Sequence, residues 1–467
     1  VSAYLRFLAQ KRIVAPSDGV DVDEDQVHPV LFGFQRDLTR WALRKGRAAL
    51  FADTGLGKTP MQVEWARLTG RRTLILAPLA VAQQTIRQAA QLLEVEVGYA
   101  RSQAEAAGPI TITNYERLDR FDLGAFDAVV LDESSILKSF SGATKKALVA
   151  GFRSTPYRLC CTATPAPNDI EELCNHADFL SVMTPAEMRS TFFIADSKGE
   201  FMRYRLKGHA RQAFYRWMAS WAMAVKTPSD IGHDDAGYQL PELRVRTHFV
   251  ETDWKPSGRL FPVGLDGIVE RAEVRRSTID ERVAATVARV ESEPDEAWLI
   301  WCGLNEEGRA VARAIPDAVL VEGSDPPERK AEALLGFADG DIRTLITKPS
   351  VAGFGMNWQR CARMVFLGLS DSFEAYYQAV RRCWRFGQTR PVYAHVVLSE
   401  AEKPIWDNVM FKERRAAEMA EGLVVAMRDH ERAELLAGTT AADDYSPTRP
   451  LSVPGWLTTE APCPTST

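Results

Sequence analysis

The stretch FADTGLGKTP, residues 51–60, brings Thr54, Gly55, Gly57, Lys58 and Thr59 together between the apolar run AALF and the helical-looking MQVEWARL. Successive backbone N–H groups of a glycine-containing loop at a helix start can surround a phosphate, and the helix dipole favours the negative charge. Lys58 would then reach the β and γ phosphates of a nucleotide, and the Thr59 hydroxyl would ligate Mg2+. Pro60 in the first helical turn costs little, because its N–H would have been unpaired anyway. The strict pattern G-x-x-x-x-G-K-[ST] lacks its first glycine, since Ala52 stands there. The plain alternative is a glycine turn before a surface lysine.

A second element weakens that alternative. AVVLDESS closes an apolar run with Asp132 and Glu133, which sets two carboxylates at the carboxyl edge of a sheet, where α/β folds bind ligands. Asp132 would hold Mg2+ through water, and Glu133 would orient and deprotonate an attacking water. The competing reading is an acidic helix cap after a strand.

These residues need a scaffold, and the chain supplies two series of short apolar runs. AALF near 48, TLILAP at 73, ITIT at 110, AVVLD at 128 and RLCCTAT at 158 form the first; AWLIWCG at 297, AVLVEG at 318, RTLIT at 343, MVFLGL at 364 and VYAHVV at 392 form the second. Their length and near-continuous apolarity suit buried parallel strands, so the expected fold is α/β with two parallel sheets in tandem. With 467 residues the chain exceeds one ordinary core. Apolar residues make up 46% and charged residues 25%, with no run long enough to span a membrane. The start, VSAYLRFLAQKR, has no signal-peptide pattern, and seven cysteines without a C-x-x-C pair indicate neither a disulfide framework nor a zinc site. A reducing cytoplasm fits. The net charge of −5 argues against global attraction to nucleic acid but allows a local cationic groove.

LFADTGLGKTPMQ, VVLDESSILKS, CTATPAPN and QAVRRCWRFGQ resemble motifs I, II, III and VI of superfamily II helicases, specifically the Swi/Snf-like branch of double-stranded DNA translocases. GFQRDLTRW, LILAPLAVAQQ, TNYERL, LIWCGL and TKPSVAGFGMN are similar to its further motifs, and the resemblance covers about residues 30–400. It implies two RecA-like P-loop lobes, with ATP and Mg2+ between them, and makes Ala52 an allowed variant. By the same resemblance Gln35 contacts adenine, and Gly353, Gly355 and Asn357 belong to motif V. Arg382 and Arg385 are three apart, so on a helix they share a face and both reach the γ-phosphate region. Gln378 flanks them. Thr162 and Thr164 are candidate relay hydroxyls between the ATP site and the DNA-facing loops, or an ordinary polar end to a strand. Ser134 and Ser135 depart from the usual alanine and histidine after the acidic pair. A serine hydroxyl there can still bond to motif III.

The expected domains are an N-terminal extension (1–27), an ATP-binding lobe (28–180), a helical basic and aromatic insertion (181–250), a second lobe (251–435) and a disordered tail (436–467). Within the insertion, Phe201 to Lys226 contains no acidic residue and is expected to be helical from about His209 onward. Arg203, Arg205 and Lys207 there suit phosphate contacts or a protein partner, while Trp217 and Trp221, four apart, read as a buried stripe. The resemblance places further DNA contacts around Pro78, Asn114, Tyr115 and Ser350. It implies a monomeric, DNA-stimulated ATPase acting on duplex in the cytoplasm of a bacterial or phage-infected cell, similar to helicase-like proteins of phages and prophages. A motor subunit of a restriction or anti-phage system and an ATP-gated DNA clamp are the alternatives, with a protein partner as the source of any sequence specificity.

Overall fold

The computed structural model describes residues 15–138, 142–167, 169–196, 203–251, 275–352 and 356–437. The first seven-stranded sheet contains β1 (Arg47–Ala52), β2 (Thr73–Ala77), β3 (Gly98–Tyr99), β4 (Ile110–Asn114), β5 (Ala128–Asp132), β6 (Tyr157–Cys161) and β9 (Ala222–Val225). Their order is β3-β4-β2-β5-β6-β1-β9, and every pairing is parallel. β1, β2, β4, β5 and β6 are buried along nearly their whole length because helices cover both faces, which is why each reads as a continuous apolar run. A small antiparallel hairpin of β7 (Phe193–Asp196) and β8 (Arg203–Leu206) stands apart from the sheet.

The second sheet has six strands: β10 (Leu243–Val250), β11 (Trp298–Cys302), β12 (Val319–Leu320), β13 (Thr344–Thr347), β14 (Arg363–Leu367) and β15 (Val392–Ser399). Its order is β10-β15-β14-β11-β13-β12, again all parallel. The expected α/β fold with two parallel sheets is therefore present. All six described cysteines are buried free thiols, and no described helix is long and apolar enough to cross a membrane.

Residues 181–250, expected as a helical insertion and linker, contribute strands to both sheets. The helix from Arg211 to Ala219 stops well short of Lys226, because Ala222–Val225 pairs in register with β1 and becomes the edge of the first sheet. The acid-free run misleads because its aromatics decide its place. Phe214, Trp217 and Trp221 are buried in the first lobe's core, where Trp217 packs 5.2 Å from Phe192 and 5.3 Å from Trp221. The buried stripe expected at Trp217 and Trp221 is thus observed. Residues 243–250, assigned to the same insertion, are the edge strand of the second sheet.

The expected second lobe ends in one 35-residue helix, Lys403–Ala437. Ile405, Trp406 and Val409 belong to the second lobe's core, whereas Leu423, Val424 and Met427 belong to the first lobe's core. Its last turns cover the outer edge of β9, where Glu431 accepts the Ala224 N–H at 2.7 Å. Most of the expected tail, residues 438–467, lies outside the described residues, as do residues 1–14 of the N-terminal extension.

Burial, the largest influence, pushes the Glu431 carboxyl up to about 8, aided by Asp230 and opposed by the Ala224 N–H and Arg428. A carboxyl raised above its unfolded value near 4.3 keeps a proton that the unfolded chain loses. Its contribution is whole below about pH 4.3 and declines as pH rises towards 8. Glu431→Gln retains the acceptor and removes the titration, so it should raise the melting temperature more at pH 9 than at pH 5; thermal unfolding at both values checks this.

Candidate nucleotide site between the lobes

Helix α1 (Gly33–Lys45) precedes β1, and helix α2 (Lys58–Thr69) follows the phosphate loop. Gly55 and Gly57 have φ of 95° and 81°, the left-handed region that glycine enters without a Cβ clash. Gly57 is the residue before α2, and a Cβ there would stand 2.2 Å from Gln35 Nε2. Gln35 itself is buried. Its Nε2 donates to the Leu56 carbonyl at 3.0 Å and its Oε1 accepts the Phe32 N–H at 3.0 Å, so it braces the loop from behind. The Lys58 ammonium lies across the loop mouth, donating to the carbonyls of Ala52 (2.9 Å) and Asp53 (3.3 Å). Thr54 and Thr59 are partly exposed on the same loop and helix start.

Strand order explains how the other groups arrive. β6 lies between β5, which carries the acidic pair, and β1, which carries the loop. Just past β6, the Thr162 N–H donates to Leu50 O of β1 at 3.2 Å, while its hydroxyl donates to Glu133 Oε2 at 3.3 Å. That hydroxyl also accepts the Thr164 N–H at 3.1 Å. Glu133 has φ 53°, a conformation that costs a non-glycine residue about 1 kcal/mol or more. Asp132 is buried. Burial and then the neighbouring Glu133 push its carboxyl up, against the Lys58 ammonium and the Gln62 amide. Such an acidic pair is electrostatically incomplete by itself.

Ser134 does not make the bond to motif III foreseen for a motif II serine. Its hydroxyl lies 3.1 Å from Nε2 of His176, a fully buried ring that burial keeps neutral by lowering it to about 4. Ser135 is buried beside it. A bond between motif II and motif III is made by Glu133 and Thr162.

From the second lobe, helix α3 (Phe373–Val380) ends before the arginines, so Arg382 and Arg385 lie in the turns after it rather than on one helix face. They still converge. Arg382 donates to Gln378 O (3.0 Å), Gln378 Oε1 (2.9 Å) and Met356 O (3.2 Å), and Arg385 donates to Met356 O (3.4 Å). Burial lowers Arg382 to about 10 and Arg385 to about 9. In Arg385 the neighbouring guanidiniums add to the effect, and the Glu133 carboxylate opposes it for both. Glu133 in one lobe thus feels both arginines of the other.

The remaining expected residues are dispersed. Pro78 starts the helix after β2 and Ser350 is exposed, but Asn114 and Tyr115 are buried. Asn114 donates to Glu116 at 2.5 Å, and the Tyr115 hydroxyl donates to the Asp132 carbonyl at 2.7 Å, so this tyrosine supports the acidic pair from within the core. Arg203 and exposed Arg205 lie on β8, and the Lys207 ammonium donates to the Ser190 and Thr191 carbonyls. Gly353 and Gly355 lie outside the described residues.

Residues 288–387, within the second lobe, match the helicase conserved C-terminal domain. A Xenopus tropicalis protein, SWI/SNF-related matrix-associated actin-dependent regulator of chromatin subfamily A-like protein 1, is 28% identical over 155 residues; these are 31% of this chain and 16% of that protein. The second lobe thus matches a helicase-type C-terminal domain, and the chain spans only a small part of the length of the curated relative it matches. The chain is similar to superfamily II helicases of the Swi/Snf-like branch. The solved Sulfolobus solfataricus SWI2/SNF2 ATPase core in complex with double-stranded DNA aligns over 89% of this chain and 98% of that one, at 18% identity and a TM-score of 0.41.

Three residues of this candidate site escaped the reading of its motifs: Asp53, Tyr377 and Arg381. The Tyr377 hydroxyl donates to Asp53 Oδ1 at 2.6 Å, and Arg381 pairs with the same carboxylate. Arg381 sits inside the arginine-rich motif, yet only its contact with the other lobe reveals a role. Because Gln35 braces the loop, Gln35→Ala should weaken binding of inorganic tripolyphosphate as well as ATP, each by roughly tenfold, the loss expected for a buried carbonyl left unpaired. Competition titrations against a fluorescent nucleotide check it; a loss confined to ATP would assign Gln35 to the base alone.

Proposed function

We propose that this chain hydrolyses ATP between its two lobes and converts their relative movement into translocation along double-stranded DNA. The observation that carries the reading is the confrontation of Asp132 and Glu133 in one lobe with Arg382 and Arg385 in the other, across a glycine loop bearing Lys58.

The residues fit a magnesium nucleotide. Gly55 and Gly57 give the loop its turn, the acidic pair is short of positive charge, and the two arginines are buried with carbonyl oxygens as their hydrogen-bond acceptors among the described residues. Among the described residues no group of three or more His, Cys, Asp or Glu could hold a metal. That suits Mg2+, which takes one or two protein oxygens and completes its shell with water and phosphate. Thr59 and Asp132 would hold it, and when bound it would neutralise charge on the β and γ phosphates.

Glu133 orients the attacking water and accepts its proton at the carboxylate, whose Oε2 is held by the Thr162 hydroxyl. Lys58 leaves the Ala52 and Asp53 carbonyls for phosphate oxygens. Arg382 and Arg385 stabilise the charge that develops during transfer, a role suited to a planar and permanently charged group. Since acids and guanidiniums belong to different lobes, turnover requires closure, and product release permits opening.

The duplex substrate rests on the resemblance of the motif set and on Pro78 and Ser350, which stand on the motif Ia helix and the motif V segment. Arg205 adds a cation on the hairpin. Lys58→Ala and Glu133→Gln should each lower duplex-stimulated ATP hydrolysis at least a hundredfold, with Glu133→Gln retaining nucleotide binding. Steady-state ATPase assays with duplex, single-stranded DNA and RNA check this. Unchanged turnover in either variant removes the hydrolytic assignment, and equal stimulation by all three polymers removes the duplex assignment.

A further inference from the structure

Tyr377 and Arg381, four residues apart at the end of α3, reach across the cleft to one acceptor. Asp53 Oδ1 takes the Tyr377 hydroxyl at 2.6 Å, the Thr54 N–H at 2.6 Å and the Arg381 guanidinium. Arg381 Nη2 also donates to Thr54 O at 3.3 Å. At the next position, a Cβ on Gly55 would stand 2.9 Å from both the Cβ and the backbone N of Phe386. The second lobe therefore touches Asp53, Thr54 and Gly55 in succession.

These contacts are well supported on their own side. Arg381 is 2% exposed, with its guanidinium 4.9 Å from the Trp384 ring centre and 5.5 Å from that of Tyr377. Phe386 stacks on Tyr238 of the connecting segment at 4.7 Å and 28°. Lys138, which follows motif II, pairs with Glu374 on α3. Burial acts to raise the Asp53 carboxyl, yet Arg381, Tyr377 and the Thr54 N–H together hold it below the usual range. Asp53 is thus the directly paired counter-ion of Arg381.

We propose that Asp53, Tyr377 and Arg381 form an interlobe clasp that shapes the phosphate loop according to the position of the second lobe. Tyr377 and Arg381 are positioning residues: they act on the nucleotide through Asp53 and Thr54. This rests on the nucleotide reading of the loop. Its physical basis is that the second lobe holds both the Thr54 carbonyl and the Asp53 carboxylate on which the Thr54 N–H rests, so drawing that lobe away frees the front of the loop and disperses the N–H groups that must converge on phosphate. Nucleotide affinity and lobe closure then become one equilibrium.

The test labels Glu94→Cys and Glu328→Cys, exposed in the two lobes, with a fluorescence transfer pair and adds clasp variants to the full chain. Interlobe transfer is measured without nucleotide, and affinity is measured with a fluorescent ATP analogue. Arg381→Met and Asp53→Asn should each lower transfer and weaken the analogue by about tenfold, as loss of a buried charge-assisted bond implies. The double variant should be no worse than either single one, and Arg381→Lys should restore part of both signals. Unchanged transfer, additive losses or no rescue by lysine would overturn the clasp. Lys58→Ala separates the two readings: it should abolish analogue binding with transfer unchanged. If it binds the analogue normally while the clasp variants still lose transfer, the nucleotide reading fails and the clasp stands as an interlobe contact.

Discussion

Charge is divided between the lobes in a way that neither can balance alone. One side of the cleft presents two adjacent carboxyl groups, Asp132 driven upward by burial and by its neighbour. The other presents Arg382 and Arg385, which burial drives downward. In a medium of low effective dielectric these groups interact more strongly than they would in water, so cleft width is set by what screens or joins them. A magnesium polyphosphate has both signs in the required order, cation towards the acids and anion towards the guanidiniums. The rest of the architecture maintains this opposition.

Sheet topology does so within the first lobe. The strand that ends in Thr162 runs between the loop strand and the acidic strand, so one residue can bond to both. Between lobes, the helix Lys403–Ala437 is about 50 Å long at 1.5 Å per residue, and its two ends are packed into different cores. The helix passes from one core to the other between Ala416 and Leu423, the stretch in which a change in cleft width would be accommodated.

Much of this was legible from local pattern, and the failures share a cause. Buried parallel strands announce themselves as apolar runs, and the phosphate loop and acidic pair are short segments whose chemistry is local. β9 was missed because AMAV is only four residues long and follows closely on the helix Arg211–Ala219; its identity depends on β1 lying alongside. β10, LRVRTHFV, is an exposed edge strand with alternating cations, and resembles a polar linker until β15 pairs with it. His176 lies 42 positions from Ser134, and Tyr377 lies 324 from Asp53. No window-based periodicity can report such pairings. Tyr115 shows the converse error: a motif position suggested a surface contact, whereas its ring fills the core and only its hydroxyl serves the site.

The phosphate loop is the seam at which these constraints meet. Its rear half, Leu56 and Gly57, is held by Gln35 from the same lobe. Its front half, Asp53 to Gly55, is held by Tyr377, Arg381 and Phe386 from the other lobe. Lys58 joins the two halves by reaching back to the carbonyls of Ala52 and Asp53. A loop anchored wholly in one lobe would bind phosphate whether the cleft were open or closed. On the proposed nucleotide reading, a loop divided between two lobes would lose its shape when they part, and affinity for the nucleotide would change with the motion that brings Arg382 and Arg385 towards Glu133. Coupling between binding and closure would then need no relay through the core, because the loop proposed to bind phosphate is itself part of the interface.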